Sequence, residues 1–315
     1  ERTRAIVVVH LFGHPADMDA LLALARPHDI RVIEDAAQAP GVYYRGRAVG
    51  TIGDIGGFSL NYHKHIHTGE GGMLVTNDDT LAWRARLIRN HGENAIEDPD
   101  GFEAVNSFGG NYRLTELQAA IGIEQLKRLD GYLNSRTALA AHLRRRLEGL
   151  PGLTPAAMPE PGSTHAYYSF PIHYNSARAG LSRAAFVRAV RAELPASQGV
   201  EGIPLFEGYV RPLYLSRLYQ NHLGMGRHGF PFSWRSNVRY EYAPGLCPVA
   251  ERLYERELLL TPLVREPLIE CDLDALADAC EKVLTHAAQI RDSDNTDQHA
   301  AVLTPLAAIN DATQV

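Results

Sequence analysis

The sequence predicts an α/β fold: a mostly parallel sheet flanked by helices, followed by a smaller α+β C-terminal domain. Three observations carry this reading. An apolar run, an amphipathic segment and a second apolar run follow one another within residues 5–33. A long, alanine-rich helical stretch then runs from Arg113 to Leu150. Beyond Pro151-Gly152 the texture changes to alternating and amphipathic segments. A strand–helix–strand unit as compact as the first one demands parallel strands joined by a right-handed crossover.

Taken in order, Ala5-Ile6-Val7-Val8-Val9 reads as a buried strand. Met18 to Arg26 reads as a helix, with Leu21, Leu22, Leu24 and Ala25 apolar, Asp17 as N-cap and Pro27 as its stop. Ile30 to Ile33 is the next strand, and Asp35 falls just past its carboxyl end. Ile55 to Leu60 and Met73 to Thr76 are two further short strands, and Thr80 to Arg89 is helical. The Arg113–Leu150 helix is interrupted near Gly131 and bridges two domains. Tyr167 to Tyr174 alternates as a strand, Ser182 to Glu193 is an amphipathic helix capped by Ser182, and Asp272 to Ile290 is a final helix. The domain expectation is therefore 1–130 for a large ligand-binding domain and 131–290 for a small one. Residues 199–245 form a long aromatic-rich loop, and 291–315 a flexible tail.

Bulk properties narrow the function classes. At 315 residues the chain can bury a large core. A net charge of −6 argues against nucleic-acid or anionic-membrane partners. Cys247, Cys271 and Cys280 lie far apart without metal-site spacing, which suits a reducing, cytoplasmic compartment. No apolar run approaches the ~18 residues of a membrane span.

The chemistry concentrates between residues 33 and 72. Ile33-Glu34-Asp35 puts a carboxylate at the carboxyl end of a strand, the edge where open α/β sheets bind ligands. Lys64 lies in a short loop between two strand-like runs, with Ser59 before it and Gly69-Glu70-Gly71-Gly72 after it. A lysine, a hydroxyl and a distal carboxylate are the parts that hold pyridoxal 5'-phosphate. The amine forms a Schiff base, the hydroxyl takes the phosphate, and the carboxylate pairs with the pyridinium nitrogen. Gln38 is available for the ring substituents. Singly, these are a capping Asp, a solvated loop lysine, a strand serine and a polar helix-start residue; their order carries the reading. A catalytic lysine must be partly desolvated, and Tyr62, Ile66 and the glycine turn are compatible with that. His63, His65 and His67 alternate and would share a face of an extended segment. No nearby cysteine or carboxylate pair completes a metal site, so substrate contact or packing is expected of them and no metal.

Together these motifs resemble the DegT/DnrJ/StrS family of sugar aminotransferases, which are fold-type-I enzymes dependent on pyridoxal phosphate. The similar segments are Val9-His10-Leu11-Phe12-Gly13-His14-Pro15, Val32-Ile33-Glu34-Asp35-Ala36-Ala37-Gln38-Ala39, Phe58-Ser59, Lys64 with Gly69-Glu70-Gly71-Gly72, Arg89-Asn90-His91-Gly92, and Gly110-Asn111-Tyr112-Arg113. They cover residues 5–130 densely. Beyond that, His165-Ala166-Tyr167-Tyr168 and Cys247-Pro248-Val249-Ala250-Glu251-Arg252 are the better points.

The resemblance implies roles. Lys64 would carry the Schiff base and move the proton between Cα and C4′. Asp35 would face the ring nitrogen, Gln38 the ring oxygen region, and Ser59 the phosphate. Asn111 would reach the phosphate of the neighbouring subunit of a homodimer with shared active sites. Glutamate or glutamine would give its amino group to a keto sugar, often nucleotide-linked, or to a keto cyclitol, by ping-pong chemistry. Family members also carry an earlier segment of the large domain, so the expectation is that the sequence from Glu1 begins inside that domain. Two alternatives stay open: a sugar dehydratase, which has His where Lys64 stands, and a non-catalytic regulatory or binding protein that keeps the fold. The loop 206–245 interleaves aromatics such as Phe206, Tyr214, Trp234 and Tyr242 with Arg211, Arg217, Arg227, Arg235 and Arg239. It suits a carbinol ring, a phosphate or a nucleotide.

Overall fold

The computed structural model describes residues 3–93, 108–195, 204–234 and 239–291. The chain divides into two compact units. One holds residues 1–142, 157–170 and 262–269, and the other 143–156, 171–261 and 270–315.

In the first unit, β1 (Ala5–Val9) and β2 (Arg31–Asp35) are parallel, with Val9 opposite Asp35. Between them lies α1 (Met18–Ala25), whose N-cap Asp17 accepts from the Ala20 amide at 3.1 Å. Pro27 sits in the 3-10 turn that ends it. A small hairpin, β3 (Tyr43–Tyr44) and β4 (Arg47–Ala48), precedes β5 (Ile55–Ser59), which runs parallel to β2. β6 (Gly72–Val75) closes the sheet antiparallel to β5, giving the order β1-β2-β5-β6. The α/β expectation holds: β1, β2 and β5 run parallel, and β6 is added antiparallel beside β5.

Successive strand residues alternate between faces. Val8 and Val32 point to the face packed with Met18, Leu22 and Ala25 of α1 and with Ala36, Val42 and Tyr44. Burying a side chain such as Met18 or Leu22 contributes roughly 1.5–3 kcal/mol. Val7, Val9 and Leu74 are exposed on the opposite face.

α2 (Asp79–Arg89) is capped by Asp78, and α3 (Glu116–Leu126) by a reciprocal Thr115–Gln118 capping box. α4 (Leu129–Leu147) follows. The helical stretch therefore breaks at Lys127-Arg128 and not near Gly131. The Lys127 amide already turns back onto the Ile123 and Gln125 carbonyls, whereas Gly131 lies inside α4, which absorbs the roughly 1 kcal/mol that a helical glycine costs.

In the second unit the sheet order is β7-β8-β10-β9, from β7 (Leu153–Pro155), β8 (Phe170–Tyr174), β9 (Phe206–Glu207) and β10 (Leu258–Thr261). β8 starts three residues later than the alternation predicts. Tyr167 has φ +47°, and the Ala166 and Tyr168 amides bond instead to the Gly13 and Phe12 carbonyls, each at 2.9 Å. After the short α5 (Ser176–Ala179), α6 (Arg183–Glu193) is capped by Ser182. It buries Phe186, Val187 and Val190. α9 (Glu270–Thr285) packs against it and buries Leu273, Leu276 and Val283.

Within 199–245 the described residues form only short pieces, including α7 (Arg217–Gln220). Tyr219, His222, Phe232, Tyr240 and Tyr242 pack on one another there, with ring centroids 5.2–6.5 Å apart. Arg235, residues 199–203 and the tail from 292 lie outside the described residues. α8 (Pro248–Arg252) leads through a π turn into β10.

Candidate functional site

Strand register builds the site's floor. Val9, Asp35, Gly57 and Leu74 stand in one row across the sheet, and Ser59 lies two residues further along β5 on the same face. Asp35 and Ser59 are the last residues of their strands, so carboxylate and hydroxyl both reach the carboxyl edge. The Asp35 Oδ1 accepts from the Ala37 amide at 3.0 Å, and Ser59 Oγ from the Asn61 amide at 3.2 Å. A concavity of about 470 Å³ opens on this face, lined by Ile33, Asp35, Ala37, Gly57, Phe58 and Ser59 among others. Gly56, one residue before Gly57, faces the other way: a Cβ there would sit 1.9 Å from the Gly50 carbonyl oxygen, so only glycine lets the two backbones meet.

Lys64 sits in a tight turn. Its amide bonds to the Asn61 carbonyl at 2.9 Å, and the His63 amide to Asn61 Oδ1 at 3.0 Å. The Asn61 amide group also donates to Glu70 at 2.8 Å, which ties the turn to the Gly-Glu-Gly-Gly segment. The Lys64 Nζ lies 4.8 Å from the centroid of the Tyr168 ring. Burial lowers its pKa, and the Asp35 charge pulls partly in the opposite direction. Lysine and aspartate therefore share one electrostatic environment.

The turn corrects one expectation. His63, His65 and His67 do not share a face, because the segment is not extended. His63 lies against the Tyr62 ring at 3.8 Å. His65 is buried with its Nε2 2.9 Å from the Ala166 carbonyl oxygen. His67 takes the Gly69 amide at 3.4 Å. Among the described residues no group of three His, Cys, Asp or Glu is arranged to hold a metal ion.

Gln38 is nearly buried, and its Oε1 accepts from the Phe12 amide at 2.6 Å. It thereby fixes the loop after β1, where Gly13 adopts φ +87°. Asn111 is exposed; its backbone bridges Asn90 and its Oδ1 accepts from Arg113 at 3.0 Å. Lys64, Asp35 and Ser59 thus gather at one sheet edge. Gln38 lies just behind that edge, in the loop that follows β2.

Sequence reasoning passed over a buried pair beneath this edge. His10 and Glu34 are both fully buried and meet at 3.0 Å. Glu34 also accepts from the Gly50, Ile52 and Gly53 amides at 2.7, 2.6 and 2.6 Å. Burial by itself would raise the Glu34 carboxyl. The hydrogen bonds from His10, Gly53, Gly50 and Ile52 outweigh it and hold the group below its ordinary value. His10 Nδ1 accepts from the Ala16 amide at 3.1 Å, so Nε2 carries the proton given to Glu34. The signal was available: period-two alternation sends Glu34 to the face opposite Asp35, into the core, where a carboxylate requires donors. Tyr168 and Arg136 were also missed. Arg136 lies in the core of this unit, with Nη1 donating to the Tyr167 carbonyl at 2.7 Å. Burial, together with repulsion from Arg265, pushes its pKa down to about 10.

Comparison with known proteins extends this picture. A family model described as the DegT/DnrJ/EryC1/StrS aminotransferase family matches residues 1–239. L-glutamine:2-deoxy-scyllo-inosose aminotransferase of Streptoalloteichus tenebrarius is 36% identical over 92% of this chain and 67% of its own. The dTDP-3-amino-3,4,6-trideoxy-alpha-D-glucose transaminase of Streptomyces venezuelae is 37% identical over 69% of this chain and 52% of its own. Among solved structures, an aminotransferase from Psychrobacter cryohalolentis superposes with a TM-score of 0.71 at 32% identity. That match covers 91% of this chain and 70% of that one. The chain thus spans between half and two thirds of the length of these two curated relatives.

Proposed function

The chain belongs to the DegT/DnrJ/EryC1/StrS aminotransferase family, and on that premise we propose that it is the pyridoxal-phosphate-dependent aminotransferase of a keto sugar or keto cyclitol. The observation that carries the proposal is the gathering of Lys64, Asp35 and Ser59 at one sheet edge, with the Lys64 amine desolvated and within the field of Asp35. The residues fit the cofactor. A concavity of about 470 Å³ is ample for a pyridine ring, and Asp35 and Ser59 are both on its wall. Bound there, pyridoxal phosphate supplies an electron sink for the pair left at Cα when an amino acid loses its α-proton.

The chain's own residues do the rest. Lys64 Nζ would be the group that holds the cofactor and, as a free amine, would take up and return the donor's α-proton. Its lowered pKa supports this, because only the neutral amine accepts a proton. Asp35 would hold the proton on the ring nitrogen. Ser59 would hold the phosphate, Gln38 the ring oxygen region, and Asn111 the phosphate across a homodimer interface. The exposed apolar side chains of α3, Leu117, Ile121, Ile123 and Leu126, support a second copy packing there. The donor is glutamate or glutamine, the acceptor a keto cyclitol or nucleotide-linked keto sugar. A cytoplasmic location is the reading that the unpaired Cys247, Cys271 and Cys280 support.

The test is spectroscopic. Pyridoxal phosphate added to the protein should produce a visible absorption band that bleaches with glutamine or glutamate and is lost in Lys64→Ala. Product analysis with a keto-cyclitol or nucleotide-keto-sugar acceptor should then find an amine. A deoxygenated product would replace this reading with a dehydratase, and no band in the longest natural form of the chain would remove the cofactor from it.

A further inference from the structure

His65 presents an arrangement that the reading above does not use. It follows Lys64 directly in the turn and is buried. Its Nε2–H donates to the Ala166 carbonyl at 2.9 Å, and its Nδ1 is buried without a partner. The neutral ring is thereby fixed in one tautomer, since a second ring proton would have no acceptor. Through that bond the lysine turn is tied to residues 165–168. The same segment is anchored from two further sides. The Ala166 and Tyr168 amides bond to the Gly13 and Phe12 carbonyls at 2.9 Å, and Arg136 donates to the Tyr167 carbonyl at 2.7 Å. The product of these ties is the Tyr168 ring, set 4.8 Å from Lys64 Nζ and 6.0 Å from the His65 ring.

We infer that Tyr168 is a further residue of the site, an aromatic wall that stabilises the Lys64 ammonium through its π face, and that His65 is the positioning residue holding wall and amine in register. The separation falls inside the ~6 Å range of cation–π attraction, and desolvation strengthens that attraction. The charged and titratable groups around the amine come from three elements. Asp35 of β2 favours the ammonium; His65 on the turn is neutral; Tyr168 comes from the segment after His165, whose own ring acts on His65. The charge of Arg136 on α4 disfavours a positive charge on His65. Burial and the two attractive groups, Asp35 and Tyr168, therefore act in opposite senses on Lys64. The wall works with Asp35 against the drop that burial imposes on the Lys64 pKa. The importance of this balance rests on Lys64 being the cofactor lysine, but the balance itself is measurable without cofactor.

The experiment titrates Lys64 in the cofactor-free full chain, by pH-dependent acylation read site by site with mass spectrometry. Phenylalanine and its mono-, di- and trifluorinated analogues are placed at position 168, which drains the π face without changing its shape. Tyr168→Phe should leave the Lys64 titration where it is. Each fluorine should lower it stepwise, by about one pH unit across the series, a tenfold change in the ammonium–amine equilibrium. His65→Leu should lower it in the same sense, and His65→Gln, which restores a donor to Ala166, should return it toward the wild type. A titration independent of fluorine content overturns the wall. A fluorine dependence that persists unchanged in His65→Leu overturns the positioning role. Failure of the cofactor reading shows separately, as the missing visible band.

Discussion

Glu34→Gln is the sharpest probe of what holds the site edge in place. The substitution keeps the shape of the side chain, so no cavity forms. It replaces one acceptor oxygen by an amide that can only donate. Each carboxylate oxygen serves two donors: Oε1 takes the Ile52 and Gly53 amides, and Oε2 takes Gly50 and His10. Whichever way the glutamine turns, two buried donors face another donor. His10 cannot adapt by swapping its proton, because Nδ1 already serves the Ala16 amide. A buried polar group left without a partner costs about 1–3 kcal/mol, and two such donors are left here. The expected loss is about 2–6 kcal/mol, on the order of 10 °C in melting temperature. Urea and thermal unfolding followed by circular dichroism measure it. His10→Ala made on top of Glu34→Gln should add much less than it costs alone, since the two changes break one network. A loss under about 1 kcal/mol for Glu34→Gln, or full additivity with His10→Ala, would refute the argument that this carboxylate clasps residues 50–53 to the ends of β1 and β2.

Three further outcomes are expected. In the cofactor-loaded protein, Asp35→Asn should keep the visible band yet slow its bleaching by the amino donor at least about a hundredfold, measured by stopped-flow absorbance. Gly13→Ala should cost about 1–3 kcal/mol in urea unfolding, because residue 13 has φ +87° and a Cβ would lie 2.8 Å from Ala166 Cβ and 2.9 Å from the Gln38 carbonyl oxygen. His65 is held neutral by burial, its pKa down to about 3 from an ordinary 6.5. As pH falls below 6.5 the unfolded chain takes up a proton that the folded one refuses, so stability drops by up to ~1.4 kcal/mol per pH unit until about pH 3. His65→Gln should flatten that decline, and equal slopes in the two proteins would contradict the buried neutral imidazole.

Much of the fold was legible along the chain. The β1–α1–β2 unit followed from hydrophobic period and caps: Asp17, Ser182 and the strand runs lie where local propensity puts them, because those signals depend on neighbours in sequence. The start of β8 did not follow, since Tyr167 is pulled out of the strand by partners some 150 residues away in the 12–14 loop. Alternation along 63–67 misled for a related reason: the Asn61 side chain and carbonyl fold the segment into a turn, and periodicity has no meaning there.

The candidate site divides in the same way. Lys64, Asp35 and Ser59 could be named as candidates because an amine, a carboxylate and a hydroxyl are residue types, and residue type is written in the sequence. The desolvation of Lys64, the Tyr168 ring against its amine and the four donors on Glu34 are not written there. Those depend on which distant backbone amides and rings arrive at the same point. The sequence by itself determined the chemistry available at the sheet edge. Only the tertiary structure decided the protonation and placement of that chemistry, because burial and hydrogen-bond geometry are properties of the packed chain and not of any residue in it.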